Sequence, residues 1–235
     1  MKQEFDKYTS EDREVWKILF ERQLVNLKDR ASQVYLDCLQ EMEAVLHSKN
    51  IANFSELNET LMKKNGWTIE VVKGLIPVDE FFQLLSIKKF CASTWLRTKE
   101  QLDYLDEPDM FHDIFGHIPL LMNRDFSNFA EGIGKIALNY LDNEEVLVKL
   151  QRIYWFTIEF GLIKENNQVK GYGAGIMSSF GETNHIFEDN ILIHPFNMEM
   201  VIGKEFISTE IQNEYVMIDN YLDLFESLEK LKQLI

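Results

Sequence analysis

The chain has 235 residues, 46% of them apolar and 27% charged, with a formal net charge of −15. That size and apolar content can bury a substantial core, while the acidic balance argues against nucleic acid or an anionic membrane surface as partner, since both need a positive face. Cys38 and Cys91 are too few for a disulfide framework, and neither a signal-type apolar segment nor about 18 consecutive apolar residues occurs, so a cytoplasmic protein is expected.

Eleven glycines and four prolines are few for this length and favour helix. Thr9, with Asp12 three residues on, marks a helix start. Leu24, Leu27, Ala31, Val34, Cys38, Met42 and Val45 then recur at three- and four-residue steps, which predicts one long helix from Thr9 to about His47 with a single apolar stripe. Cys38 reads as a small core residue of that stripe. A shorter helix over 55–65 stops at Gly66. WTIEVV alternates weakly like a strand, Pro77 suits the first turn of a helix through DEFFQLL, and CASTWLR reads as a short extended piece. DFSNFAEGIGKIALNYL and EEVLVKLQRIYWFTIEFGLI predict two more helices, the second so apolar that it should be central and buried. LIKENNQVKGYG predicts a hairpin. From Asp219 on, Tyr221, Leu224, Phe225, Leu228, Leu231 and Leu234 have the spacing of a closing helix. With no repeat and no Pro/Gly/Ser linker, the expectation is one domain over 1–235, mainly helical with a few short strands.

The chemistry concentrates in EPDMFHDIFGHIPLL. Of five histidines and four prolines, His112, His117, Pro108 and Pro119 fall within twelve residues. On a straight α-helix a five-residue step rotates by about 140°, so the two imidazoles would diverge. A helix ending at Gly116 would let the chain turn and swing His117 back toward His112. The flanking Asp106, Glu107, Asp109 and Asp113 suit a solvated helix start. Glu159, in YWFTIEFGL, is different, because an unpaired carboxylate among such residues costs several kcal/mol. It calls for a cation. Two histidines and a carboxylate are the ligand set of non-haem Fe(II) oxygenases; zinc accepts the same set, and although HExxH is absent the spacing leaves a zinc hydrolase open.

EPDMFHDIFGHIPLL, IYWFTIEFGL and GYGAGIMSSFGE, in this order and spacing, resemble the pterin-dependent aromatic amino acid hydroxylases, most closely the short bacterial phenylalanine 4-hydroxylases. The resemblance runs from YTSEDREVWKILFERQ to STEIQ. It implies a catalytic iron on His112, His117 and Glu159, and a tetrahydropterin bound by Gly74, Leu75, Ile76, Phe81 and Tyr154, with Phe81 stacking on its ring. Arg97 would clamp the amino acid carboxylate with its planar fork. Pro108, Trp155 and Phe160 would line the aromatic side-chain pocket, and Ser178 would lie beside the substrate and behind the iron ligands. The implied reaction converts L-phenylalanine to L-tyrosine with O2, Fe(II) and the reduced pterin as reactants or cofactors.

Animal members of that family carry a regulatory domain and a C-terminal oligomerisation helix, for which 235 residues leave no room, so a monomer is expected. Leu105 stands where some members have Thr, Cys91 where the animal phenylalanine enzyme has a pterin-side His, and Ser208 near the position that helps set substrate choice. A tyrosine or tryptophan preference therefore stays open. The rival readings are the zinc hydrolase and a non-catalytic acidic binding module of the same fold; intact His112, His117, Glu159, Arg97 and Ser178 argue against the latter.

Overall fold

Thr9 opens helix α1 (Ser10–Leu27) with the expected reciprocal cap: its hydroxyl accepts from the Asp12 N–H while the Asp12 carboxylate accepts from the Thr9 N–H. The computed structural model, which describes residues 1–103, 105 and 107–235 and so leaves Asp106 outside, does not continue this helix to His47. The chain turns over 28–30, Ala31 bridges to Gly171, and the Ser32 N–H donates to the Gly171 carbonyl. Ser32 then caps a separate helix, α2 (Gln33–Glu41), by accepting from the Tyr35 N–H. A serine hydroxyl that offers the backbone a cap competes with helix continuation. The predicted stripe is accordingly broken, with Leu24 41% exposed, while Val15, Trp16, Leu19, Phe20 and Leu27 form the buried face of α1. Cys38 is buried in α2, as expected.

Helix α3 (Phe54–Asn65) ends at Gly66, whose φ of +78° is the left-handed stop that glycine supplies. Strands β1 (Thr68–Val71) and β2 (Lys89–Ala92) pair in parallel across helix α4 (Val78–Ser86), with Pro77 at its N-cap. Helices α5 (Arg124–Ala137) and α6 (Glu144–Tyr154) follow. The second differs from the expected all-buried helix in two ways. Glu144 and Glu145 are exposed, and past Tyr154 the helix widens to a π-helical segment (Trp155–Glu159) and gives way to strand β3 (Gly161–Glu165). With β4 (Gln168–Gly171), β3 makes the predicted hairpin, whose Asn166 and Asn167 sit at φ +51° and +61°, the conformation of a tight primed turn.

Helices α7 (Ala174–Ser178) and α8 (Phe180–His185), strand β5 (Leu192–Pro195), helix α9 (Met198–Gly203), strand β6 (Glu214–Ile218) and helix α10 (Tyr221–Leu234) complete the order. Sheet order is β4-β3-β6-β5, parallel except for the hairpin. Helix α10 buries Tyr221, Leu224, Leu228 and Leu231, whereas Phe225 is 40% exposed. One apolar core joins residues from Val15 to Leu231, so the mainly helical architecture with short strands is as expected. Among the described residues no helix is long and apolar enough to cross a membrane.

Candidate active site

The two histidines converge by a different route from the one their spacing suggested. Helix geometry does not end at Gly116; residues His112–His117 form a π-helical segment. Its i→i+5 hydrogen bonding sets residues five apart nearly over one another, so both imidazoles face one point without a turn. Gly116 has another task. A Cβ there would lie 2.7 Å from the Ala174 carbonyl oxygen, so glycine lets α7 pack directly on this segment. The second π-helical segment delivers Glu159 to the same point.

His117 Nε2 lies 3.0 Å from Glu159 Oε1, His112 Nε2 lies 3.6 Å from Glu159 Oε2, and the two Nε2 atoms are 3.2 Å apart. All three donors fall within 4.8 Å of one another. The orientation of His112 is set from behind. The Ser178 hydroxyl donates to the Ala174 carbonyl at 2.7 Å and stands 2.9 Å from His112 Nδ1. With its own proton in use it accepts the Nδ1 proton, leaving the Nε2 lone pair aimed at Glu159 and His117. Burial drives His112 down to about 4, so the ring is neutral. Burial by itself would raise Glu159, but the adjoining His117 and His112 outweigh it and hold the carboxylate below its ordinary value. Two imidazoles and an ionised carboxylate converging on one face fit a divalent cation, with the side toward the cavity open.

That cavity measures about 380 Å³. Gly74, Leu75 and Ile76 from the loop after β1, Phe81 of α4, Tyr154, Trp155 and Pro108 all line it, as do His112, His117 and Glu159. Phe81 and Tyr154 meet at 5.0 Å with their rings at 87°. Aromatic rings and loop backbone in one wall are the chemistry a planar heterocycle needs. Space does not demand glycine at Gly74, where a Cβ would meet nothing within 4 Å.

Three of the residues singled out from sequence stand behind the wall. Phe160 packs on Trp155 at 4.7 Å. Ser178 supports His112. Arg97 is 8% exposed and donates from Nε and Nη2 to the two oxygens of Asp109, both at 2.9 Å. Asp109, itself fully buried, also accepts the His112 N–H at 3.1 Å, so the arginine is tied to the ligand segment. Asp109 and Asp113 are thus not a solvated helix start. Asp113 lines the cavity and accepts the Ser93 N–H at 2.7 Å; burial, with the Asp109 and Glu159 charges, pushes its carboxyl well above the usual range. Cys91 also lines the cavity, its thiol pushed up to about 12 by burial and the neighbouring Asp113. The sequence reading missed Phe90, Gln151 and Phe206 as wall residues. Phe206 had no local signal, and Ser208, two residues later on the same loop, is exposed.

A family model described as biopterin-dependent aromatic amino acid hydroxylase matches residues 4–235, and the chain belongs to that family. Its relatives include phenylalanine-4-hydroxylases: that of Chromobacterium violaceum is 37% identical over 226 residues, covering 96% of this chain and 75% of the relative. That of Pseudomonas aeruginosa is 38% identical over 222 residues, covering 94% and 83%. A crystal structure of the C. violaceum enzyme with iron(III) and the oxidised cofactor 7,8-dihydrobiopterin superposes with a TM-score of 0.93 at 36% identity, covering 100% of this chain and 85% of that one.

Proposed function

We propose that this protein hydroxylates the ring of L-phenylalanine to give L-tyrosine, using O2, iron held by His112, His117 and Glu159, and a tetrahydropterin. The observation that carries it is the convergence of those three donors within 4.8 Å in the lining of a cavity that Phe81, Tyr154 and Trp155 also line, in a family whose C. violaceum member binds iron and a biopterin. Bound together, iron and reduced pterin supply the oxygen chemistry, in which one atom of O2 enters the ring and the other is reduced with two electrons from the pterin.

The residues of this chain prepare the site. Ser178 holds the His112 proton on Nδ1 and keeps Nε2 free to ligate. Gly74, Leu75, Ile76, Phe81 and Tyr154 are assigned to the pterin, and Pro108, Trp155 and Phe160 to the aromatic side chain of the substrate. Asp109 fixes the guanidinium of Arg97, which is assigned to the substrate carboxylate; a pinned planar fork loses little freedom on binding. Apolar walls limit water around the reacting atoms. Hydrolysis on the same ligands would need a free general base, and Asp113, the other carboxyl in the wall, is engaged by the Ser93 backbone. A monomeric enzyme of a reducing, cytoplasmic compartment is the form this reading expects, consistent with Cys38 and Cys91 both being unpaired.

Purified protein supplied with Fe(II), O2, a tetrahydropterin and L-phenylalanine should form tyrosine. Absence of hydroxylation and of pterin oxidation with phenylalanine, tyrosine and tryptophan alike would overturn the proposal.

A further inference from the structure

One wall of the cavity is held by a buried polar chain that the oxygen chemistry does not use. Trp155 and Phe206 stack at 4.4 Å with 18° between their planes, and both line the cavity. Phe206 belongs to the loop 204–213 between α9 and β6, whose Ile207 and Ile211 are exposed. The loop is anchored at both ends. Near its start Lys204 pairs with Glu214. At its end Gln212, 7% exposed, turns its side chain inward.

The Gln212 amide oxygen accepts from the Trp155 indole N–H at 3.0 Å, and its amide nitrogen donates to the carbonyls of Ile207 at 2.9 Å and Glu210 at 2.8 Å. Its backbone N–H donates to Glu182 Oε1 at 3.1 Å, and Glu182 Oε2 accepts the Tyr215 hydroxyl at 2.5 Å. Glu182 and Tyr215 are both buried. The side chain of Gln212 therefore has the indole on its acceptor and its own loop on its donors. Satisfied buried networks specify one geometry, and removing a member leaves the others unpaired.

We infer that Gln212 is a positioning residue for amino acid specificity: by tying the Trp155 indole to the loop that carries Phe206, it sets the width of the slot in which the substrate's aromatic ring lies. The inference rests on the reading of this cavity as the substrate site. Slot width decides between a phenyl and the larger indole, and fit at this scale discriminates by about 10–200-fold.

The test uses the iron-loaded full chain with Gln212→Met, which keeps the volume and loses the hydrogen bonds. KM for L-phenylalanine should rise about tenfold, the preference for phenylalanine over tryptophan should narrow, and KM for the pterin and the iron content should stay as in the unaltered protein. In a 15N spectrum the indole N–H signal of Trp155, one of four tryptophans, should shift and exchange faster. Phe206→Leu, which leaves Gln212 in place, should move the same preference; there the Trp155 signal shifts with loss of the stacked ring but exchanges no faster, and Gln212→Leu takes the place of Gln212→Met if the latter does not fold. Unchanged preference in either variant, or an equal rise in both KM values for Gln212→Met, would overturn the inference. Lack of turnover in the unaltered chain would instead overturn the proposed function, while the indole spectrum still reports the hydrogen bond.

Discussion

The Ser178 hydroxyl stands 2.9 Å from His112 Nδ1 while its own proton goes to the Ala174 carbonyl, so a serine on α7 decides which nitrogen of a histidine on another segment can bind metal. Removing such a partner typically weakens metal affinity by about 10–100-fold. Ser178→Ala should therefore bind Fe(II) about that much more weakly, measured by competition with a chelator, and thermal unfolding without metal should differ little from the unaltered chain.

Gly116 and Gly74 give an opposed pair. Alanine at 116 would put its Cβ 2.7 Å from the Ala174 oxygen and push α7, with Ser178, away from the ligand segment. Overpacking of this kind costs about 1–3 kcal/mol. Gly116→Ala should lower the urea midpoint accordingly and weaken iron binding, whereas Gly74→Ala, with open space around its Cβ, should leave the midpoint unchanged.

These two glycines also mark how far the amino-acid order carried. The Thr9 cap, the Gly66 stop, the Asn166–Asn167 turn and the composition of the His112, His117 and Glu159 set were all legible, because each depends on local chemistry. What was not legible depended on contacts between distant segments. The long first helix breaks because Ser32 finds Gly171. The histidines converge through a π-helical segment that no simple periodicity encodes. Asp109 reads as a surface acid until Arg97 is brought beside it, and Phe206 lines the cavity from a loop that Gln212 ties to Trp155, a contact between segments far apart in the chain.

The Arg97–Asp109 pair makes a prediction about pH. Burial alone would raise the Asp109 carboxyl, but the hydrogen bonds and charge of Arg97 outweigh it and hold the group below its ordinary value. An acid whose pKa is lower folded than unfolded adds stability that is full above the unfolded value of about 3.9 and lost as pH falls through the folded one. Breaking a buried pair by removing one partner costs about 3–5 kcal/mol. Urea unfolding should show Asp109→Asn less stable than the unaltered chain by about that amount at neutral pH, and the gap should narrow as the pH is taken below about 4. A gap that stays constant would mean that Arg97 does not stabilise the ionised form.

His112, His117 and Glu159 are proposed to hold iron for pterin-dependent hydroxylation. The most direct test strips the purified protein of metal and adds back Fe(II) or Zn(II) separately, following tyrosine formed from L-phenylalanine per tetrahydropterin oxidised, beside Glu159→Gln treated the same way. Tyrosine formation restored by Fe(II) alone, and absent from the variant, is the predicted result. Full activity in Glu159→Gln, or in protein carrying only zinc, would contradict it.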